Sequence, residues 1–141
     1  MSSPSPPAVV LDASATVALL ADDGPAGAWV AKIVAGAALF APELMPFEAA
    51  NILRRHTLAG LLDPSEAALA HTDLAALPVR RFPYPAVADR VWGLRANLTA
   101  YDAAYVALAE MLWASLVTLD ARLGRATGPR CEVLAYSPAG S

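Results

Sequence analysis

Four acidic residues stand where their types and spacing could do chemistry: Asp12, Glu48, Asp102 and Asp120. Asp12 closes an apolar run, Ala8-Val9-Val10-Leu11, and Asp120 follows another, Leu116-Val117-Thr118-Leu119. Asp102 stands at the mouth of a helical run, where a carboxylate suits exposed N–H groups and the positive end of the helix dipole. If that helix and the strand after it pack antiparallel, Asp102 and Asp120 converge at one edge of a sheet. Glu48 lies near the start of a helix that follows a further apolar run, with Pro46 in the first turn, where proline is tolerated. Four carboxylates at one edge cannot all stay ionised without a cation, because like charges within a few ångströms raise one another's pKa. Oxygen ligands with no cysteine or histidine cluster point to Mg²⁺ or Mn²⁺ rather than zinc. Two such ions ~3.5–4 Å apart would let one activate a water and the other stabilise the leaving oxygen of an in-line phosphodiester displacement. No side-chain nucleophile is then required.

The elements that must position these acids follow from apolar runs and their punctuation. Strands are expected over 8–11, 38–41, 79–82, 116–117 and 131–134, and helices over 15–21, 26–35, 43–58, 63–77, 86–95, 103–114 and 121–126. Ser14 is expected to cap the first helix, and Asp22-Asp23-Gly24-Pro25 to form a turn. Continuous apolar strands buried on both faces suit a parallel sheet, with the first strand central and the third, held between Pro78 and Pro83, at an edge. The fold class expected is α/β: three layers, α/β/α, around a mainly parallel sheet of four to five short strands. Residues 1–7 and 137–141 are expected to be flexible segments flanking one domain over 8–136. In such sheets ligands sit outside the carboxyl ends of the strands, which is where all four acids fall.

Composition narrows the class. With 141 residues and 57% hydrophobic content the chain has material for one full core. Mean hydropathy is +0.45, yet charged residues interrupt every stretch before the ~18 uncharged apolar residues a membrane span needs, so no membrane association is expected. The excess of apolar residues suggests a face covered by another chain. Met1 to Pro7 lacks the features of a secretory signal, and the single cysteine, Cys131, expected to be a buried small hydrophobe, fits a reducing cytoplasm. A net charge of −3 excludes nucleic-acid binding by bulk positive charge but not a nuclease in which metal bridges to phosphate.

Taken together, Asp12-Ala13-Ser14, Glu48-Ala49-Ala50-Asn51-Ile52-Leu53-Arg54-Arg55, Tyr101-Asp102-Ala103-Ala104-Tyr105-Val106 and Leu116-Val117-Thr118-Leu119-Asp120 resemble the PIN domain. More narrowly, they resemble the VapC toxins of bacterial type II toxin–antitoxin pairs. The resemblance covers about Val9 to Leu134. It implies a Mg²⁺-dependent endoribonuclease in which Asp12, Glu48, Asp102 and Asp120 take the places of the metal-binding, catalytic acids. Ser14, Asn51 and Thr118 take those of nearby polar support, and Arg55 is a candidate for holding substrate. It also implies an RNA substrate, a VapB-type antitoxin, a homodimer and a toxin–antitoxin hetero-oligomer.

Other readings of the same residues are weaker. The stripe Glu48, Asn51, Arg55, taken alone, suits a solvated helix face. His56 and His71 lack the spacing of a zinc site. Trp29, Trp92 and Trp113 fit core or interface positions, and Arg54, Arg122 and Arg125 fit either the mouth of the site or the plain surface. A receiver-type phosphoacceptor domain also gathers acids at a sheet edge, but it needs adjacent acids after the first strand and a lysine after the last. Here Leu11 and Ala13 flank Asp12, and Lys32 is the only lysine. A haloacid-type phosphatase needs a second aspartate where Ser14 stands. A PIN-like module that only binds a partner would have no need of all four acids.

Overall fold

The computed structural model describes residues 5–138. Five strands form one sheet: β1 (Ala8–Leu11), β2 (Ala38–Pro42), β3 (Val79–Phe82), β4 (Ser115–Thr118) and β5 (Val133–Ala135). Their order is β3-β2-β1-β4-β5, and every pairing is parallel. The helices are α1 (Ala13–Ala21), α2 (Pro25–Val34), α3 (Met45–Leu58), α4 (Pro64–Ala76), α5 (Tyr84–Gly93), α6 (Ala100–Leu112) and α7 (Ala121–Gly124). The expected three-layer α/β arrangement is therefore present, with β1 central and β3 at an edge.

Residues of β1 alternate between the two layers. Val10 packs into a large core with α3, α4, α5 and α6, while Val9 and Leu11 face a smaller one with Ala15, Ala18 and Val30 of α1 and α2. Leu116 and Val117 of β4 divide in the same way, so both central strands are covered on both faces. At Gly27 a Cβ would fall 1.9 Å from the Asp22 carbonyl oxygen. Only glycine lets α2 lie this close to the end of α1. Asp22 is the expected turn residue, its Oδ1 accepting from Gly24 N at 2.7 Å.

Several element ends differ from expectation for identifiable reasons. Asp12, not Ser14, caps α1, because its carboxylate accepts the Ala15 N–H. The third helix starts at Met45 rather than residue 43, since Glu43 N donates to Phe82 O at 2.9 Å and keeps that residue on the sheet. Pro83 and Pro85 bring the start of α5 forward to Tyr84, and Thr99 caps α6 three residues earlier than the sequence suggested. The last strand lies later, over Val133–Ala135, because pairing with β4 begins only where Leu116 N meets Glu132 O. Cys131 is consequently half-buried at the margin of the core instead of inside it.

Of the segments expected to be flexible, 1–4 and 139–141 lie outside the described residues. The Pro7 carbonyl accepts from Ala38 N at 2.9 Å, and Tyr136 N donates to Thr118 O at 3.0 Å.

Candidate active site

Strand order reverses at β1 and β4, which lead outward in opposite directions, and the crevice beyond their carboxyl ends is the natural ligand position in such a sheet. Asp12 leaves β1 into α1, and Asp120 leaves β4 into α7. Each caps the helix it precedes, Asp12 accepting from Ala15 N and Asp120 from Arg122 N. Asp102 sits in the first turn of α6, and Glu48 in the first turn of α3.

One pair of hydroxyls ties this edge together. Thr118 Oγ1, fully buried, donates to Asp12 Oδ2 and accepts from Asp120 N at 2.9 Å. Ser14 Oγ donates to Asp12 Oδ1 at 2.7 Å and accepts from Leu119 N at 2.9 Å. Both carboxylate oxygens of Asp12 are thus oriented by hydroxyls that are themselves fixed to the turn after β4. Ser14 and Thr118, expected beside the acids, both lie against the Asp12 carboxylate.

Glu48 is held from the neighbouring helix, where the Tyr105 hydroxyl donates to its Oε1 at 2.5 Å. Tyr105 follows Asp102 by three positions, on the same face of α6, and its ring is buried. The sequence reading gave Tyr105 no role; its i+3 spacing from Asp102 was the available signal. Asn51 and Arg55 are exposed on α3, and neither makes a hydrogen bond to the acids. Arg55 instead lines a groove of about 570 Å³ with Val17, Ala21, Ile52 and Leu62, which reaches the acid edge at Ser14 and Leu119. Arg122 forms an exposed ion pair with Asp120, Nε to Oδ1 at 3.2 Å.

Electrostatics separate the acids. Burial pushes the Asp12 carboxyl up, and Asp102 adds to the rise, against hydrogen bonds from Thr118, Ala15 and Ser14 that favour the ionised form. Burial likewise raises Glu48; the Tyr105 hydroxyl opposes that, and Asp102 and Asp12 add to it. Asp102 is raised by burial and by Asp120. Asp120 alone is lowered, chiefly by its hydrogen bond with Arg122. Glu48 and the deep burial of Tyr105 together raise the phenol far above its ordinary value, so it stays a hydrogen-bond donor.

Among the described residues, no three acidic, histidine or cysteine side chains stand close enough to hold one ion as they lie. Glu48 is turned to Tyr105 and Asp120 to Arg122, a sensible arrangement for carboxylates that otherwise face one another. The donor set is nonetheless oxygen-only, negatively charged and mutually repelling. That chemistry fits a hard divalent cation and no soft one.

The tryptophans divide. Trp29 is partly buried, its ring 5.5 Å from that of Tyr136. Trp92, near the end of α5, and Trp113, between α6 and β4, are exposed toward the opposite edge of the sheet. No helix among the described residues is long and apolar enough to cross a membrane.

The PIN domain family model matches residues 9–129. The chain is 39% identical over 125 residues to the VapC ribonuclease Mb0985 of Mycobacterium bovis, covering 89% of this chain and 95% of that one. Among solved structures, PAE2754 from Pyrobaculum aerophilum superposes with a TM-score of 0.64 at 26% identity, covering 90% of this chain and 83% of that one. VapBC2 from Rickettsia felis, solved bound to a DNA fragment from its promoter, superposes with a TM-score of 0.66 at 12% identity and shares the fold, covering 92% of this chain and 99% of that one.

Proposed function

We propose that this chain, which belongs to the PIN-domain family and within it to the VapC ribonucleases, is the toxin of a type II toxin–antitoxin pair and cuts RNA at its four-acid edge. It is a metal-dependent endoribonuclease; we assign Mg²⁺ as the ion, with Mn²⁺ able to replace it. The observation that carries the assignment is the Asp12 carboxylate at the carboxyl end of β1, fixed by Ser14 and Thr118 to the turn after β4 from which Asp120 leaves. Asp12, Glu48, Asp102 and Asp120 would hold the metal. When bound, it supplies an activated water and a positive charge for the leaving oxygen of the phosphodiester.

The chain's own groups have distinct tasks in this reading. Ser14 and Thr118 fix the Asp12 carboxylate, and Tyr105 fixes Glu48. Asn51, one turn after Glu48, reaches toward water near the acids, and Arg55 meets a phosphate or a partner carboxylate at the groove. Arg122 holds Asp120 in place and meets RNA phosphate at the rim.

The groove beside α1 and α3 is the seat we assign to a VapB-type antitoxin, whose apolar side chains would fill it while a basic side chain approaches the acids. Exposed Leu58, Leu61 and Leu69 on and near α3 and α4 support further coverage by protein, in keeping with a homodimer and a toxin–antitoxin hetero-oligomer in the cytoplasm. A receiver-like reading gains nothing, because no lysine follows the last strand. The test is cleavage of single-stranded RNA by purified protein, in EDTA and after Mg²⁺ is restored. Cleavage that stops in EDTA and returns with Mg²⁺ supports the reading, and cleavage unaffected by EDTA overturns it.

A further inference from the structure

Beside the acids, on the Glu48 side, a pocket of about 340 Å³ opens at the carboxyl ends of β2 and β3. Phe47, Phe82 and Tyr84 supply its rings, Val87 and Ala104 its apolar wall, and Glu43 its one carboxylate. Phe47 is 78% exposed and Tyr84 58%, so both rings face water. Phe82 is braced from behind, its ring 6.1 Å from that of Phe40 and 5.2 Å from the Arg80 guanidinium. The Glu43 N–H is already spent on Phe82 O. The pocket and the acid edge draw on the same two helices: in α3 Phe47 precedes Glu48, and in α6 Ala104 precedes Tyr105, which donates to Glu48.

We infer that this pocket takes one unstacked base of the RNA, from a nucleotide flanking the scissile phosphate. The inference rests on the ribonuclease reading of the acids. Every base has a π-face that stacks on aromatic rings, and single-stranded RNA is commonly held by splaying bases onto such rings. A chain of net charge −3 cannot hold RNA by bulk attraction, so stacking must contribute to affinity. On the other side of Phe47 a second cavity is bordered by His71 and by Arg81, a cation suited to the phosphate of the same nucleotide. Glu43 only accepts hydrogen bonds when ionised, so it would meet an N–H edge of the base. The substrate is accordingly a loop or single strand, where an unstacked base is available without breaking a pair.

Phe47→Ala and Tyr84→Ala remove exposed rings and spare the core. Their single-turnover cleavage is measured on an RNA with a mapped cut site, intact and with an abasic residue at each nucleotide flanking the cut. Each variant should slow cleavage of intact RNA roughly 5–100-fold, the range for loss of one base–aromatic stack. One abasic position should slow the unmodified protein similarly, and the two losses should not multiply. Unchanged rates, or equal losses on intact and abasic RNA, overturn the inference. An abasic-independent loss in which Phe47→Ala turns a dimer into a monomer also overturns it, and makes the pocket a contact between copies. Binding of RNA carrying 2-aminopurine, followed by fluorescence in EDTA, separates the two readings. Quenching at one flanking position that Phe47→Ala abolishes supports the pocket even if no RNA is cut, in which case the ribonuclease reading fails alone. Cleavage without such quenching removes the pocket alone.

Discussion

Replacing Thr118 by valine keeps the shape of the side chain and removes the hydroxyl that joins the first acid to the last. Two bonds are lost: the donation to Asp12 Oδ2, which is charge-assisted, and the acceptance from Asp120 N at 2.9 Å. The first is worth about 1.5–3 kcal/mol and the second about 1 kcal/mol. An added buried methyl returns about 1 kcal/mol. The net loss is about 1.5–3 kcal/mol, or roughly 5–10 °C in Tm for a domain of this size. Stability falls only part of the way, because the strands and both cores are untouched. Activity should fall by about 10–100-fold at saturating RNA, as expected when a group orienting a metal ligand is removed. Thr118→Ser retains the hydroxyl and loses a buried methyl, so it should cost about 1 kcal/mol and keep near-full activity. Thermal unfolding without metal and initial rates across a Mg²⁺ series measure both effects. If Thr118→Val cuts RNA as fast as Thr118→Ser, the hydroxyl does not position Asp12 and the reasoning fails.

Tyr105→Phe removes the donor that favours ionised Glu48, so the acid limb of the pH–rate profile should move to higher pH and the rate at neutral pH fall about 10-fold, as for loss of a group orienting a metal ligand; an unmoved limb would remove Tyr105 from the site. Asp12, Glu48 and Asp102 have pKa values raised by folding, so the stabilisation they give is full below their ordinary values, 3.8 for the aspartates and 4.5 for Glu48, and is lost as pH rises through the raised ones. Stabilisation by Mg²⁺, read as a Tm shift, should therefore grow from pH 5 to pH 8, and Asp102→Asn should raise the Tm of the metal-free protein at pH 8 while abolishing cleavage. Arg122→Ala should leave thermal stability essentially unchanged, since the pair is exposed, but should lower the Mg²⁺ concentration for half-maximal rate by freeing Asp120, and raise KM for RNA. Asn51→Ala should slow cleavage by about 10–100-fold if its amide orders water near the metal, whereas normal activity would return it to a solvated helix face.

The sheet and the places of the four acids at strand ends and helix starts were legible because parallel strands buried on both faces must be continuously apolar, as Val9-Val10-Leu11 and Leu116-Val117 are. Element ends were less legible where side chains compete with the backbone. Ser14 and Asp12 both suit a helix cap, and only the three-dimensional position of Leu119 N and Thr118 decides that Ser14 serves the turn after β4 while Asp12 caps. Tyr105 was legible only through its i+3 spacing from Asp102, because its bond to Glu48 joins residues 57 positions apart in the chain. Trp92 and Trp113 fit core or interface positions from their apolar neighbours, and the structure leaves both exposed, Trp113 by 95% at the αL residue that ends α6 (φ 53°). The aromatic pocket was hidden for a related reason: Phe47, Phe82 and Tyr84 come from separate elements, joined only by the parallel pairing of β2 and β3.

If these four acids bind the metal that supports RNA cleavage, each of them must contribute to metal affinity. Mn²⁺ binding to metal-free protein, followed by electron paramagnetic resonance, tests this most directly when the unmodified chain is compared with folded Asp12→Asn, Glu48→Gln, Asp102→Asn and Asp120→Asn. The account predicts saturable binding that each substitution weakens by at least about 10-fold, the lower bound for disturbing a metal ligand's environment. Binding of unchanged strength in the four variants would contradict it.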